Sequence, residues 1–387
     1  MAGILEYLEA ELRSFSEKPL GAVDSAALSQ FCMVDGAGVV PGYREPAAAL
    51  PGFLDTLADR ASAAFARSAR FADLLRAERF PHMFTGLDPM RVKRELAALA
   101  ASPRFRDLEL RDYASVLDAD RHVQFAAVTF VCPGRFAYVG FRGTDVSFAG
   151  WRENFEMVYS KVPAQEMAAS YLASVARHLP GRLYVGGHSK GGNLALFAAL
   201  RAEGDIQRRI ERVWCHDSPG FKRGLFSSAD YAALEGRIDK TVPQDSVVGM
   251  LMEYLGDTRV VRSSAKGLDE HSVFTWDVED GDFAYLDDVS DSAAFVRDVV
   301  AEWLAGFTDD EAKVVVDAIF SALEASGAED AGAIFGGGRR ALALLAEAAK
   351  RADEKSKDVL GRALSQLAVV AARRAGQGVV ESLPFLR

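Results

Sequence analysis

A hydroxyl flanked by glycines is the first group in the sequence whose setting suggests chemistry. Gly187-His188-Ser189-Lys190-Gly191 stands between the apolar run Leu183-Tyr184-Val185 and a helix-forming stretch over 193–200. The pattern reads as strand, sharp turn and helix with Ser189 at the apex, the G-x-S-x-G arrangement of a nucleophile elbow. Neighbours lacking a Cβ let helix and strand pass closely while the serine takes a strained backbone conformation. The following helix points its first N–H groups at a carbonyl held by the serine. Glycine-rich strand-to-helix turns also hold phosphates, but those patterns do not fit. A P-loop needs Lys-Ser/Thr after its last glycine, where Gly191 is followed by Gly192-Asn193. A G-x-G-x-x-G frame meets His188 or Ser189 where its second glycine belongs.

A serine hydroxyl becomes a nucleophile beside a base, and the base is held in one tautomer by a third group. Two histidines follow Ser189, at 216 and 271. His216 lies within the strand-like run 213–216 and reads as a core histidine with a structural hydrogen bond. His271 ends the loop 265–270, ahead of a strand-like run at 272–278, and is the favoured base. For the acid, Asp245 follows the strand-like run 238–242 and is favoured; it would also suit the N-cap of a helix. Asp217, after the run 213–216, is its rival and otherwise structural. Asp269 is too near His271 in sequence to buttress the far side of its ring. The oxyanion needs two donors. One is the N–H of Lys190; the other is Thr144, which follows the strand-like run 135–141 and offers both an N–H and a hydroxyl.

The elements that must carry these groups alternate. Residues 1–118 read as mostly helical, with Ile4, Leu5, Leu8 and Leu12 at helical spacing and alanine-rich apolar positions at 53–75. Asp88-Pro89 marks a helix start, and a glycine- and proline-containing loop spans 35–51. Residues 124–131 and 135–141 are β-branched and aromatic runs joined by Cys132-Pro133-Gly134, a hairpin. Helices at 151–159 and 164–179 follow, then strands at 182–186, 213–216, 238–242, 259–262 and 272–278, with a helix at 246–255. Strands interleaved with helices predict an α/β fold with a mostly parallel central sheet. From about 290 the strands stop. Thr308-Asp309-Asp310-Glu311 is a capping box, Gly336-Gly337-Gly338 a break, and 342–350 and 359–374 amphipathic helices. The expected division is a hydrolase domain over 1–290 (helical lead-in 1–118, catalytic core 119–290) and a helical region over 291–387 that packs on the body or forms a partner surface.

Composition narrows the function. The 387 residues are 49% hydrophobic and 26% charged, as in soluble globular proteins. A net charge of −10 speaks against nucleic acid, whose phosphates call for clustered Lys and Arg. Cys32, Cys132 and Cys215 are scattered, so neither a zinc site nor a disulfide framework is expected and a reducing compartment is. The first residues carry Glu6, Glu9 and Glu11, unlike a secretory signal, and no uninterrupted apolar run is long enough for a spanning helix. A cytoplasmic location is expected, with no metal or cofactor.

Three blocks resemble class 3 (fungal-type) lipases: Phe141-Arg142-Gly143-Thr144, Gly187 to Ala195, and Gln244-Asp245-Ser246-Val247-Val248. With Pro243-Gln244-Asp245-Ser246 and His271-Ser272 ahead of Trp276, the wider pattern resembles the bacterial Mbeg1-like family of the α/β-hydrolase superfamily. The lipase resemblance covers about residues 120–280. It implies an α/β-hydrolase fold with Ser189 as nucleophile, Asp245 as acid, His271 as base and Thr144 as oxyanion donor. Lys190 stands where lipases usually have leucine; it would favour an anionic head group or else be solvated or salt-bridged. The function expected is a serine esterase acting on a small-molecule or lipid ester such as an acylglycerol. The alternatives are a thioesterase or acyltransferase with the same triad, and a catalytically silent scaffold with the fold.

Overall fold

The computed structural model describes residues 2–43, 67–86, 88–145, 147–325 and 354–375. The chain begins with helices α1 (Ile4–Ala10), α2 (Ala22–Phe31) and α3 (Pro89–Ala101). The last starts where the sequence indicates: the Asp88 carboxylate accepts the Arg91 N–H at 3.2 Å, and Pro89, with no N–H to satisfy, follows. Helix α1 stops at Ala10, so Leu12 is exposed rather than part of its apolar face.

Among the described residues the sheet has eight strands: β1 (Glu109–Asp118), β2 (Val123–Cys132), β3 (Phe136–Phe141), β4 (Arg182–His188), β5 (Ile210–His216), β6 (Ile238–Pro243), β7 (Thr258–Val261) and β8 (Tyr285–Leu286). They lie side by side in that order. Every pairing from β3 to β7 is parallel. The β1–β2, β2–β3 and β7–β8 pairings are antiparallel. The β2–β3 pair is the hairpin expected from its apolar runs. Strand β1 corrects the expectation of helix up to residue 118. Its register shifts between Arg111 and Ala114, and Asp112 takes φ 54°, so the alternation that announces a strand is interrupted midway.

A parallel sheet needs cover on both faces. Helices α1–α3 cover one: Leu28, Phe31 and Leu96 pack in one cluster with Phe130, Tyr138 and Trp214 of the sheet. Helices α4 (Phe148–Glu156), α5 (Pro163–His178) and α6 (Lys190–Arg201) lie in chain order around the elbow. Tyr171, Leu172, Leu194 and Phe197 of α5 and α6 cluster with Val139, Val185 and Val213 on the opposite face. This is the α/β-hydrolase architecture, with a mostly parallel sheet, a helical lead-in and helices after the last strand.

Two segments differ from expectation. Residues 246–255 form only a 3-10 turn, Val248–Met250. Residues 272–278 form a 3-10 turn, Val273–Thr275, and then a two-residue strand, Val278–Glu279, paired with Asp282–Phe283. Beyond the sheet lie α7 (Asp291–Leu304), α8 (Asp309–Ala325) and α9 (Glu354–Ala375). The Thr308 hydroxyl accepts the Glu311 N–H at 3.3 Å while the Glu311 carboxylate accepts the Thr308 N–H at 3.0 Å, a complete capping box. Val316 and Phe320 of α8 pack against Phe148, Trp151, Phe155 and Tyr159 in and beside α4. Residues 53–66 of the alanine-rich stretch, the Gly336-Gly337-Gly338 break and the 342–350 helix lie outside the described residues. Among the described residues, no helix is long and apolar enough to cross a membrane.

Candidate active site

The turn from β4 into α6 has the geometry its glycines imply. Ser189 sits at φ 57°, ψ −131°, a conformation costly for a residue with a side chain. A Cβ on Gly187 would come to 2.1 Å from the Gly191 backbone, and one on Gly191 to 2.2 Å from the Phe141 carbonyl oxygen. Glycine is therefore a steric requirement at both positions. The Ser189 N–H is anchored to the His216 carbonyl at 2.9 Å, which ties the elbow to β5.

An imidazole and a carboxylate meet beside this turn, and the carboxylate is that of Asp217. His271 Nδ1 lies 2.6 Å from Asp217 Oδ2. An N–H donated to a carboxylate fixes the tautomer with Nε2 free to accept a proton. The other Asp217 oxygen accepts from Ser246 Oγ at 2.5 Å and from the Gly249 N–H at 3.0 Å, and the residue is buried. Asp245, favoured from the sequence, is not brought to His271. Its carboxylate accepts the hydroxyl of Ser290, the N-cap of α7, and its N–H donates to Glu270 at 2.8 Å. The Gln244–Val248 block thus contributes to the site through Ser246, which braces Asp217. Asp269 makes no hydrogen bond to the His271 ring among the described residues.

His188, immediately before the serine, donates through Nε2 to the His271 carbonyl at 2.7 Å, and the two rings lie 4.5 Å apart. Burial, with the neighbouring His271 adding to it, drives the His188 pKa well below the ordinary imidazole value. The ring is neutral and serves as a fixed donor. Ser189 Oγ makes no hydrogen bond to His271 among the described residues. Catalytic hydrogen bonds often tighten only when substrate is bound. His216 is the core histidine the sequence suggests: its Nε2 pairs with Ser25 Oγ at 3.0 Å, and burial lowers its pKa to about 3.

On the other side of Ser189, Gly143 lies so close that a Cβ there would be 3.4 Å from Ser189 Cβ and 2.9 Å from the His188 carbonyl oxygen. Thr144 follows, its Oγ1 accepting from Asn154 Nδ2 at 2.6 Å, which leaves the hydroxyl proton available. The Lys190 N–H, first in α6, carries no backbone bond among the described residues. Its side chain runs into the interior. The ammonium is fully buried, paired with Glu153 and bonded to the Gln124 carbonyl at 2.7 Å. Of the roles the sequence allowed, the structure adopts the salt bridge, so the Lys190 ammonium is not offered to an anionic head group.

Three supporting residues were not singled out from the sequence. Asn193, directly after the elbow glycines, donates to the Gly220 carbonyl at 2.6 Å and accepts from Gln165 at 2.9 Å, fastening the loop after Asp217 to α6. Glu153 and Glu270 sit in segments with no pattern that marks a buried carboxylate. Glu270 is fully buried with Oε1 unpartnered, and burial, then the charges of Asp245 and Asp217, raise its pKa to about 7. Among the described residues no group of His, Cys, Asp and Glu is arranged to hold a metal ion.

The strand order and the strained elbow define a member of the α/β-hydrolase superfamily. Within it, the chain belongs to the Mbeg1-like family, whose model matches residues 99–321, more than half of the 387. No curated protein matches the chain. Similar solved structures include a fungal lipase–inhibitor complex, at 19% identity over 44% of this chain and 70% of that one, with a TM-score of 0.33. The Rhizomucor miehei lipase–propeptide complex is 19% identical over 41% of this chain and 58% of its own, at a TM-score of 0.31. The lipase of Rhizopus microsporus var. chinensis is 15% identical over 58% and 83%, at 0.33.

Proposed function

We propose that the protein is a serine hydrolase that cleaves a carboxylic ester through an acyl-enzyme, with Ser189 as nucleophile, His271 as base and Asp217 as acid. The observation that carries this reading is the 2.6 Å contact from His271 Nδ1 to the buried Asp217 carboxylate beside the strained serine. That contact leaves Nε2 as the proton acceptor. Ser189 Oγ attacks the ester carbonyl while His271 Nε2 takes its proton. The developing oxyanion is met by the N–H of Lys190 and by the N–H and hydroxyl of Thr144. Collapse of the tetrahedral species expels the alcohol, which takes the proton from His271. Water, deprotonated by the same imidazole, then releases the acid.

The substrate class we propose is an ester with an apolar acyl group, of the lipid or acylglycerol kind. It is supported by the side chains that follow Thr144 in the chain: Phe148, Trp151 and Phe155, which cluster with Val316 and Phe320. The active domain is proposed to run to about residue 290. The test is labelling by a fluorophosphonate probe together with hydrolysis of p-nitrophenyl esters and thioesters of increasing chain length. We expect Ser189 to be labelled, longer acyl esters to be turned over faster, and Ser189→Ala to lose activity by on the order of 10⁶-fold. Folded wild-type protein that neither labels nor hydrolyses any ester would make the fold a scaffold instead.

A further inference from the structure

Lys190 occupies a peculiar place: its main chain is at the reacting centre, while its ammonium is buried away from it. The pairing partner, Glu153, lies on α4, and neither side chain has any solvent exposure. Glu153 uses its remaining capacity on main chain, accepting from the Gln124 N–H of β2 and the Ala164 N–H of α5, both at 3.0 Å. The next residue of α4, Asn154, holds the Thr144 hydroxyl at 2.6 Å. The helix also packs directly on Thr144: a Cβ on Gly150 would be 3.1 Å from Thr144 Cγ2. One end of this chain of contacts is therefore the first residue of the elbow helix, and the other is the threonine of the loop opposite.

We infer that the Lys190–Glu153 pair is a positioning device that sets the separation of the two oxyanion donors. Lys190 supplies one donor through its own N–H and, through its side chain, Glu153 and Asn154, places the other. An oxyanion hole acts by being assembled before charge develops, with donors at hydrogen-bond distance from the place the oxyanion will occupy rather than from the ground-state carbonyl. A shift of α4 relative to α6 changes that distance without moving Ser189, His271 or Asp217. A buried ion pair is a weak source of net stability, since desolvation offsets much of its attraction. Its geometric role is then separable from its contribution to folding. An apolar residue in place of Lys190 would fill the same volume but leave Glu153 an unpaired buried charge, so the two positions are coupled.

The inference rests on Ser189 being an ester-cleaving nucleophile, and the experiment separates the two. Lys190→Met/Glu153→Gln removes both charges and retains a folded, thermally stable protein, whereas each single change lowers the melting temperature. In the double variant kcat toward a p-nitrophenyl ester is expected to fall about 10²-fold with KM within threefold of wild type. Amide hydrogen exchange over residues 142–145 is expected to accelerate while exchange in β4 and β5 is unchanged. Glu153→Asp, which keeps both charges but shortens the link, is expected to give a smaller kcat loss and the same local exchange change. A stable double variant with wild-type kcat and wild-type exchange at 142–145 would overturn the inference. Exchange needs no turnover, so a wild-type protein without esterase activity would refute the hydrolase reading while exchange at 142–145 still decides the pairing's role.

Discussion

Two aspartates, Asp217 and Asp245, each follow the C-terminal end of a parallel strand, and the structure treats them differently. Asp217 follows β5, the strand next to the elbow strand β4; Asp245 follows β6, one strand further out. The loop after β5 is fastened to the elbow helix by Asn193, and a Cβ on Gly192 would come to 2.6 Å from Ser218 Cβ. The loop after β6 is fastened at its first residues to the start of α7, where Asp245 and Gln244 bind Ser290, while Ser246 and Gly249 further along reach Asp217. Both oxygens of Asp217 are engaged by groups of the site. The lesson is that a strand end supplies an opportunity, and neighbouring elements decide which carboxylate reaches the imidazole.

Breaking the fastening on the Asp217 side alone should expose that difference. Asn193→Ala leaves the Gly220 carbonyl and Gln165 without their buried partner, a loss of about 1–3 kcal/mol in chemical unfolding. It should also lower kcat by on the order of 10²-fold, because Asp217 drifts relative to Ser189. A smaller effect is expected from Ser246→Ala, which removes one charge-assisted bond to Asp217 while leaving His271 in contact. About 1.5 kcal/mol, or roughly tenfold in kcat/KM, should be lost. Ser290→Ala, the matching change on the Asp245 side, should leave kcat/KM within twofold in the same assay.

Glu270, a probe read in stability rather than turnover, ties the segment before His271 to the loop after β6 by accepting the Asp245 N–H. Its carboxyl binds a proton more tightly in the folded chain than in the unfolded one. The associated stability is full below pH 4.5 and is lost as pH rises to about 7. Glu270→Gln keeps an acceptor for Asp245 and carries no charge. The variant should be more stable than wild type at pH 8 by up to about 3 kcal/mol, with the gain vanishing by pH 4.5. Urea unfolding at the two pH values measures it.

Much of this site was legible in the residues, for identifiable reasons. The elbow could be read because its glycines are demanded by contacts under 3 Å, a constraint that leaves a local signature. The hairpin could be read because its two strands are largely apolar runs joined by a turn, and the parallel strands because short β-branched or apolar stretches end at turn residues. Strand β1 was hidden by the irregularity at Arg111–Ala114. Residues 246–255 have helix-like spacing, yet their backbone is engaged elsewhere: Gly249 N–H binds Asp217, and the Leu251 and Glu253 carbonyls accept from Gly220 and Phe221. The choice between Asp217 and Asp245 depends on sheet order and on contacts between distant loops, which neither spacing nor residue type encodes.

Side-by-side turnover of Asp217→Asn and Asp245→Asn, with melting temperatures recorded for both, tests the assignment most directly. Asp217→Asn should lose on the order of 10⁴-fold in kcat while remaining folded, as expected when the imidazole is released into the wrong tautomer. Asp245→Asn should stay within about tenfold of wild type. A folded Asp245→Asn variant that loses 10⁴-fold, beside an Asp217→Asn variant that keeps near wild-type turnover, would contradict the assignment.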